Sequence, residues 1–283
     1  MSILDDIIDS RRRRLAEARA RVPLAALEHA AGIREERRDF GAALDRRRRK
    51  FGASEQGAAE LAIIAELKAA SPSAGVLKRD YRPADIARGY ESAGAAALSV
   101  LTEEEYFRGS LEHLKEARAA ADVPVLRKDF ILDAYQVYES VAAGADALLL
   151  IVAALADQEL RRLIKLADRL RIAALVEAHT AEELDRAIAA GAKIIGVNNR
   201  NLKTLEVNLE TSVRLRPRIP AGCLSVSESG IRTAADLERL RDAGFDAALI
   251  GERFMMAEDP GRELAALLEA VEARSQKSGV RMS

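Results

Sequence analysis

The chain has 283 residues, of which 49% are hydrophobic and 31% charged, with a formal net charge of −1. This is the composition of a globular protein with a full core, and the near-neutral balance gives no global basic surface for nucleic acid. The length suits one large α/β barrel or two ordinary domains.

The opening Met1-Ser2-Ile3-Leu4-Asp5-Asp6 has no basic region followed by an apolar stretch, so no signal peptide is expected. No apolar run approaches the ~20 residues that span a bilayer. Residues 1–50 read as a charged helical extension. Ile3, Leu4, Ile7, Ile8 and Leu15 lie on one apolar face, followed by Leu24, Leu27 and Phe40. A pair of helices packed on the main body, over its mouth, is the expected arrangement. Two tetra-arginine runs, 11–14 and 46–49, are offset by Glu35, Glu36, Asp39 and Asp45 and have no interleaved aromatics. They read as a solvated helical face and not as a nucleic-acid arm.

Beyond residue 50, short apolar runs rich in β-branched residues and bounded by polar clusters read as buried parallel strands. Eight are expected near 61–67, 95–101, 123–128, 146–152, 173–177, 193–198, 223–227 and 246–250. Helices fit between them. Pro83 suits a first helical position, Asp133 precedes a helix that ends at Gly144, and Thr180-Ala181-Glu182-Glu183 has the form of a capping box. Glycines at 94, 144, 191 and 244 each follow a helix and precede a strand, at intervals of 50, 47 and 53 residues. One βα unit takes about 25–30 residues, so each interval holds two. The expected fold is therefore a (β/α)8 TIM barrel over 51–274 with the helical extension before it and a flexible tail over 275–283. A doubly wound open sheet is the alternative, but it does not explain the repeat.

Several of these strands end in ionisable or amide side chains: Glu66 and Lys68, Lys128, Glu177, Asn198 with Arg200, and Glu228 with Ser229. Strand ends of one kind converge on a barrel's C-terminal mouth, where alternating charges at close range suit general acid–base chemistry. The competing reading is an ion-pair ring that only closes the barrel. Ser229-Gly230 after strand 7 and Gly251 after strand 8 stand where barrels bind phosphate through backbone N–H groups. Cofactor signatures are missing. The pair Gly191 and Gly196 has P-loop spacing, but Val197-Asn198 replaces the Lys-Ser/Thr that loop needs. His29, His113 and His179 are scattered, and His179 reads as a loop or helix-start residue in spite of its closeness to Glu177. No metal and no cofactor are expected. The single Cys223 reads as a small core residue, and the chain is expected in the cytoplasm.

The segment Glu66-Leu67-Lys68-Ala69-Ala70-Ser71-Pro72-Ser73 resembles the E-x-K-x-x-S-P-S signature of the indole-3-glycerol-phosphate synthase family. The similarity continues through Ser99-Val100-Leu101-Thr102-Glu103 with Tyr106-Phe107, Leu126-Arg127-Lys128-Asp129-Phe130 and Leu175-Val176-Glu177. It extends over Gly196-Val197-Asn198-Asn199-Arg200-Asn201-Leu202, Ser227-Glu228-Ser229-Gly230 and Ile250-Gly251-Glu252. The resemblance implies ring closure of 1-(2-carboxyphenylamino)-1-deoxyribulose 5-phosphate, with loss of carbon dioxide and water. It implies Lys128 as general acid, Glu177 as the second acid–base group, Glu66 as its orienting partner or an alternative base, and Lys68 as partner of Glu66 and of substrate anions. It also implies that Asn198, Arg200, Glu228 and Ser229 hold sugar hydroxyls and carboxylate, and that Ser71, Gly230, Gly251 and the backbone of Glu252 bear on anion binding. Glu252 stands where some members carry Ser. Phe107 and Phe130 would pack on the anthranilate ring.

The expected partner is therefore a phosphorylated small molecule, with no nucleic acid and no membrane, and the expected assembly is a monomer or weak homodimer. Two other readings stay open on the residues alone. One is another phosphate-binding barrel enzyme, such as a sugar-phosphate isomerase or a Schiff-base aldolase using Lys128. The other is a barrel that binds ligand without turnover.

Overall fold

The computed structural model describes residues 3–45, 61–202 and 204–280. Eight barrel strands run in chain order as β1 (Ala62–Leu67), β2 (Ala97–Leu101), β3 (Val125–Lys128), β4 (Ala147–Ile151), β5 (Ala173–Ala178), β6 (Ile194–Asn198), β7 (Leu224–Glu228) and β8 (Ala247–Ile250). Each pairs in parallel with its neighbour in sequence, and β1 pairs with both β2 and β8, which closes the sheet. An open doubly wound sheet would leave β1 or β8 at an edge. A helix follows every strand, from Pro83–Ser92 after β1 to Pro260–Val280 after β8. Gly94, Gly144, Gly191 and Gly244 all take φ between 88° and 96°, the left-handed cap that ends a helix without a Cβ clash. That shared cap is the physical basis of the repeat.

Strand periodicity of two divides the core. Outward residues such as Ile63, Ala65 and Leu67 join the layer between sheet and helices, while Ala62, Ile64, Leu126, Leu175, Ile194 and Val226 fill the barrel interior. The inward series then ends in polar groups. Ala62 and Ile64 lead to Glu66, Leu126 to Lys128, Leu175 to Glu177, Ile194 and Gly196 to Asn198, and Val226 to Glu228. The apolar layers thus fill the base, and the charged layer forms the floor of the mouth.

The N-terminal extension comprises three described helices, where a pair is expected, and it is not confined to the mouth. Helix Ile3–Arg21 lies against the loops after β2 and β3. Arg11 reaches Asp129 at 2.7 Å, Ser10 donates to Glu105, and the Tyr135 hydroxyl donates to Ala18 O and Val22 O, each at 3.0 Å. Helix Leu24–Ile33 packs on helix Ala134–Ala142. Arg34 and Arg38 then descend to the barrel's base, donating to Gly144 O at 2.9 Å and Val123 O at 3.0 Å. Helix Phe40–Leu44 closes that base, with both terminal side chains buried against the interior cluster of Ala62 and Ile64.

Four details differ from expectation. Leu24 is exposed, and Arg11, expected on a solvated face, is buried by its pairing with Asp129. The capping box at Thr180 is half formed. Thr180 Oγ1 accepts from Glu183 N at 3.2 Å, but the Glu183 carboxylate turns to His179. The reciprocal box forms instead at Thr233 and Asp236. Helix Pro260–Val280 runs into the segment 275–283 expected as a tail. The second arginine run, 46–49, and the boundary at 50/51 lie outside the described residues.

Candidate active site

The mouth encloses a cavity of about 660 Å³ lined by residues from all eight strand ends or the loops after them. Lys128, last residue of β3, stands at its centre. Its Nζ lies 2.8 Å from Glu177 Oε2 of β5 and 2.8 Å from Glu228 Oε2 of β7. Lys68 Nζ lies 2.8 Å from Glu66 Oε1. Glu177 and Glu228 are nearly inaccessible, so these charges act with little screening by water.

Burial alone would discharge Lys128, but Glu177, Glu228 and Glu66 outweigh it and hold the ammonium well above its ordinary value. Burial would likewise raise Glu177, yet Lys128 and His179 outweigh it and keep that carboxylate strongly ionised. Glu228 goes the other way. Burial and the neighbouring Glu177 push its carboxyl upward, against the pull of Lys128. Its Oε1 has no hydrogen-bond partner among the described residues. Two carboxylates on one lysine thus have environments that split their proton affinities, the condition for one to hold a proton while the other accepts one.

Two glycines make room for this floor. A Cβ at Gly196 would overlap Glu228 Oε1, and a Cβ at Gly251 would overlap the Glu66 carboxylate. The missing side chain at Gly251 therefore serves Glu66 directly. On the far side, Ser229 takes φ 67° and Gly230 φ 78°. The left-handed pair is held by Asn199, whose Nδ2 donates to Ser229 O at 3.0 Å and to Ser227 Oγ at 3.1 Å, while its Oδ1 accepts from Ser212 N at 3.0 Å. Strain of this kind persists only where the surroundings fix it.

The sequence-derived residues Glu66, Lys68, Phe107, Lys128, Phe130, Glu177, Asn198, Arg200, Glu228, Ser229, Gly230, Gly251 and Glu252 all line the cavity. Phe107 and Phe130 face each other with ring centroids 6.3 Å apart, forming one apolar wall. Arg200 Nη2 lies 3.4 Å from Glu252 Oε2, and Asn198 Oδ1 accepts from the Arg200 backbone N at 3.0 Å. Ser71 is the exception. It is buried outside the cavity lining, where its Oγ accepts from Ala74 N at 3.2 Å and builds the turn of a small hairpin after β1.

Sequence reasoning assigned no task to His179, Asn199 or Asp129. His179 does sit just before a helix, as expected, but its ring also faces Glu177. The signal was available: the alternation that turns Leu175 and Glu177 inward puts residue 179 on the same side. Asp129 accepts from Thr102 Oγ1 at 2.6 Å and pairs with Arg127 and Arg11, anchoring the residue next to Lys128.

Comparison with known proteins agrees with this site. Residues 4–267 match the family described as Indole-3-glycerol phosphate synthase. An indole-3-glycerol phosphate synthase from Polaromonas sp. (strain JS666) is 51% identical over 265 residues, covering 94% of this chain and 97% of that protein. One from Chromobacterium violaceum is 47% identical over 268 residues, covering 95% and 98%. Among solved structures, thiamine phosphate pyrophosphorylase from Pyrococcus furiosus superposes with a TM-score of 0.57 at 18% identity, covering 75% of this chain and 96% of that one. A mandelate oxidase variant with benzaldehyde gives 0.59 at 18% identity over 88% and 92%; at such identity the likeness concerns the barrel alone. On the family match and the relatives, this chain belongs to the indole-3-glycerol-phosphate synthase family.

Proposed function

We infer that this chain closes the indole ring of indole-3-glycerol phosphate from 1-(2-carboxyphenylamino)-1-deoxyribulose 5-phosphate, releasing carbon dioxide and water. The observation that carries the chemistry is the Lys128 ammonium fixed between Glu177 and Glu228 on the cavity floor. Attack of the aromatic carbon on the C2 carbonyl builds negative charge on its oxygen, and a buried ammonium is suited to donate the proton that quenches it. The attacking ring carbon then loses its bond to the carboxylate, which leaves as carbon dioxide and restores the aromatic ring. Dehydration next needs the C2 hydroxyl to leave, as positive charge builds on the anilino nitrogen, and a proton to be lost. Glu177, kept ionised, is placed to take that proton, and Glu66 orients Lys68 or serves as an alternative base.

The remaining residues bind. Phe107 and Phe130 offer an apolar wall to the anthranilate ring. Asn198, Arg200, Glu228 and Ser229 take the sugar hydroxyls and the carboxylate. Backbone N–H groups near Gly230, Gly251 and Glu252 take the phosphate, with Glu252 competing for Arg200 until an anion arrives. Ser71 acts through the turn it builds and not by direct contact. The chemistry assigned to these residues is acid–base throughout. We place the enzyme in the cytoplasm, in keeping with its one free thiol, Cys223, and as a monomer or weak homodimer.

A Schiff-base aldolase using Lys128 needs a neutral amine as nucleophile. The carboxylates around Lys128 favour the charged form, which argues against it. The deciding experiment is to mix purified protein with the substrate, chelator present, and follow indole fluorescence; the chain has no Trp to obscure it. Folded protein that yields no product would overturn the assignment. Borohydride trapping of substrate on Lys128 would favour the aldolase.

A further inference from the structure

The loop after β5 carries a histidine enclosed by carboxylates. His179 Nδ1 lies 3.0 Å from Glu183 Oε2, on the first turn of helix Ala181–Ala189, and Nε2 lies 3.3 Å from Glu177 Oε1. The same Glu183 oxygen accepts from the His179 backbone N at 2.7 Å, and Glu183 N is capped by Thr180 Oγ1. The imidazole side chain is 7% exposed. A neutral imidazole has one N–H and one lone pair, so one of its nitrogens would set a lone pair against a carboxylate. Only the imidazolium carries an N–H on both nitrogens.

We propose that His179 is a positioning residue, an imidazolium clamped by Glu183 that holds one oxygen of Glu177 and decides which of the two carboxylates on Lys128 keeps its charge. The groups facing His179 are Glu177 on the preceding strand and Glu183 on the following helix. Lys128 and Glu228 lie one step further across the barrel. The row Glu183, His179, Glu177, Lys128, Glu228 alternates in sign. Glu177 is flanked by two cations, while Glu228 has only a share of one, so Glu177 is the carboxylate that stays ionised and Glu228 the one that takes up a proton. The 3.3 Å contact is long for a hydrogen bond and makes none by angle. A small ring rotation on substrate binding would close it, as contacts of this kind often tighten in the reacting complex. Burial would discharge His179, but Glu177 and Glu183 outweigh it and raise the ring to about 9.

The inference rests on Glu177 being an acid–base group, so its test has one arm that needs no turnover. The three imidazoles, His29, His113 and His179, are followed by nitrogen NMR against pH in the wild-type enzyme. His179 is expected to stay doubly protonated past pH 8; a neutral His179 at pH 7 overturns the proposal whatever the enzyme catalyses. The second arm is kinetic, with His179→Gln and Glu183→Gln. Losing the cation raises Glu177, so the acid limb of kcat should move to higher pH by about one unit, or about tenfold in rate on that limb, with KM nearly unchanged. Glu183→Gln should move the limb the same way by less, and it serves if His179→Gln does not fold. Lower kcat with an unmoved limb in both variants would mean a purely structural role and would sink the idea.

Discussion

The Glu228 carboxylate lies against the backbone of Gly196, in the space that any side chain there would fill. Residue 196 points into the barrel one strand away from Glu228, and its open space holds Oε1 of the same carboxylate whose Oε2 lies 2.8 Å from Lys128 Nζ. Gly196→Ala should therefore push Glu228 off Lys128 while leaving the outer layers untouched. Displacement of about 1 Å at a reacting group can cost about 100-fold, and kcat should fall by about that factor. Circular dichroism should show an unchanged fold; full activity in the variant would mean that Glu228 does not need this position.

Lys128→Met should abolish nearly all turnover, by about 10²- to 10⁴-fold for loss of a proton donor. The substitution also leaves Glu177 and Glu228 facing each other without their shared cation, so one of them should hold a proton at neutral pH. Single-turnover assays with the substrate check the first outcome. A loss of less than tenfold would remove Lys128 from the acid role.

Asp129 links stability to pH. Burial raises its carboxyl, but Arg11 and Arg127 outweigh burial and hold it below its ordinary value. A depressed carboxylate stabilises the fold above the unfolded value of about 3.9, and that contribution is lost as pH falls through the lower folded value. Arg11→Met should shrink the depression, cost about 3 kcal/mol near neutral pH as for a broken buried pair, and move the acid-unfolding midpoint upward. Denaturant titrations at pH 7 and at stepped acid pH measure both.

Phe40→Ala should separate stability from catalysis. Phe40 is fully buried at the base, remote from the charged floor. Truncating it should cost about 3–5 kcal/mol, with kcat at a temperature well below the melt almost unaltered. A large fall in kcat with little loss of stability would mean that the base communicates with the mouth.

Much of the site was legible in the sequence because inward periodicity ends in charge. Glu66, Lys128, Glu177, Asn198 and Glu228 each close a run of inward apolar residues, and a parallel sheet gathers such ends at one rim. The course of the extension was not legible. Arg34 and Arg38 fix it by donating to backbone carbonyls at 144 and 123, and any basic residue in any helix could do so; nothing in their own pattern names the partner. Ser71 lies outside the cavity lining for a related reason. Its motif marks a segment near the mouth, but whether a serine faces ligand or its own turn depends on a hairpin of two-residue strands, which is too short to give a periodic signal. His179 has the sequence position of a helix-start residue, which it is, and that position conceals its second face toward Glu177.

The extension also has a consequence for the order in which the chain folds. Its anchors are distant in sequence: Arg11 to Asp129 spans 118 residues, Ala18 to Tyr135 spans 117, and Arg34 to Asp146 spans 112. The extension therefore has no seat until the third and fourth strands have been made. Contacts of such separation form slowly, because a long loop must close before they gain anything. The amphipathic helices of the extension must wait, apolar side chains uncovered, while more than 100 further residues are made, which leaves them in need of protection from aggregation.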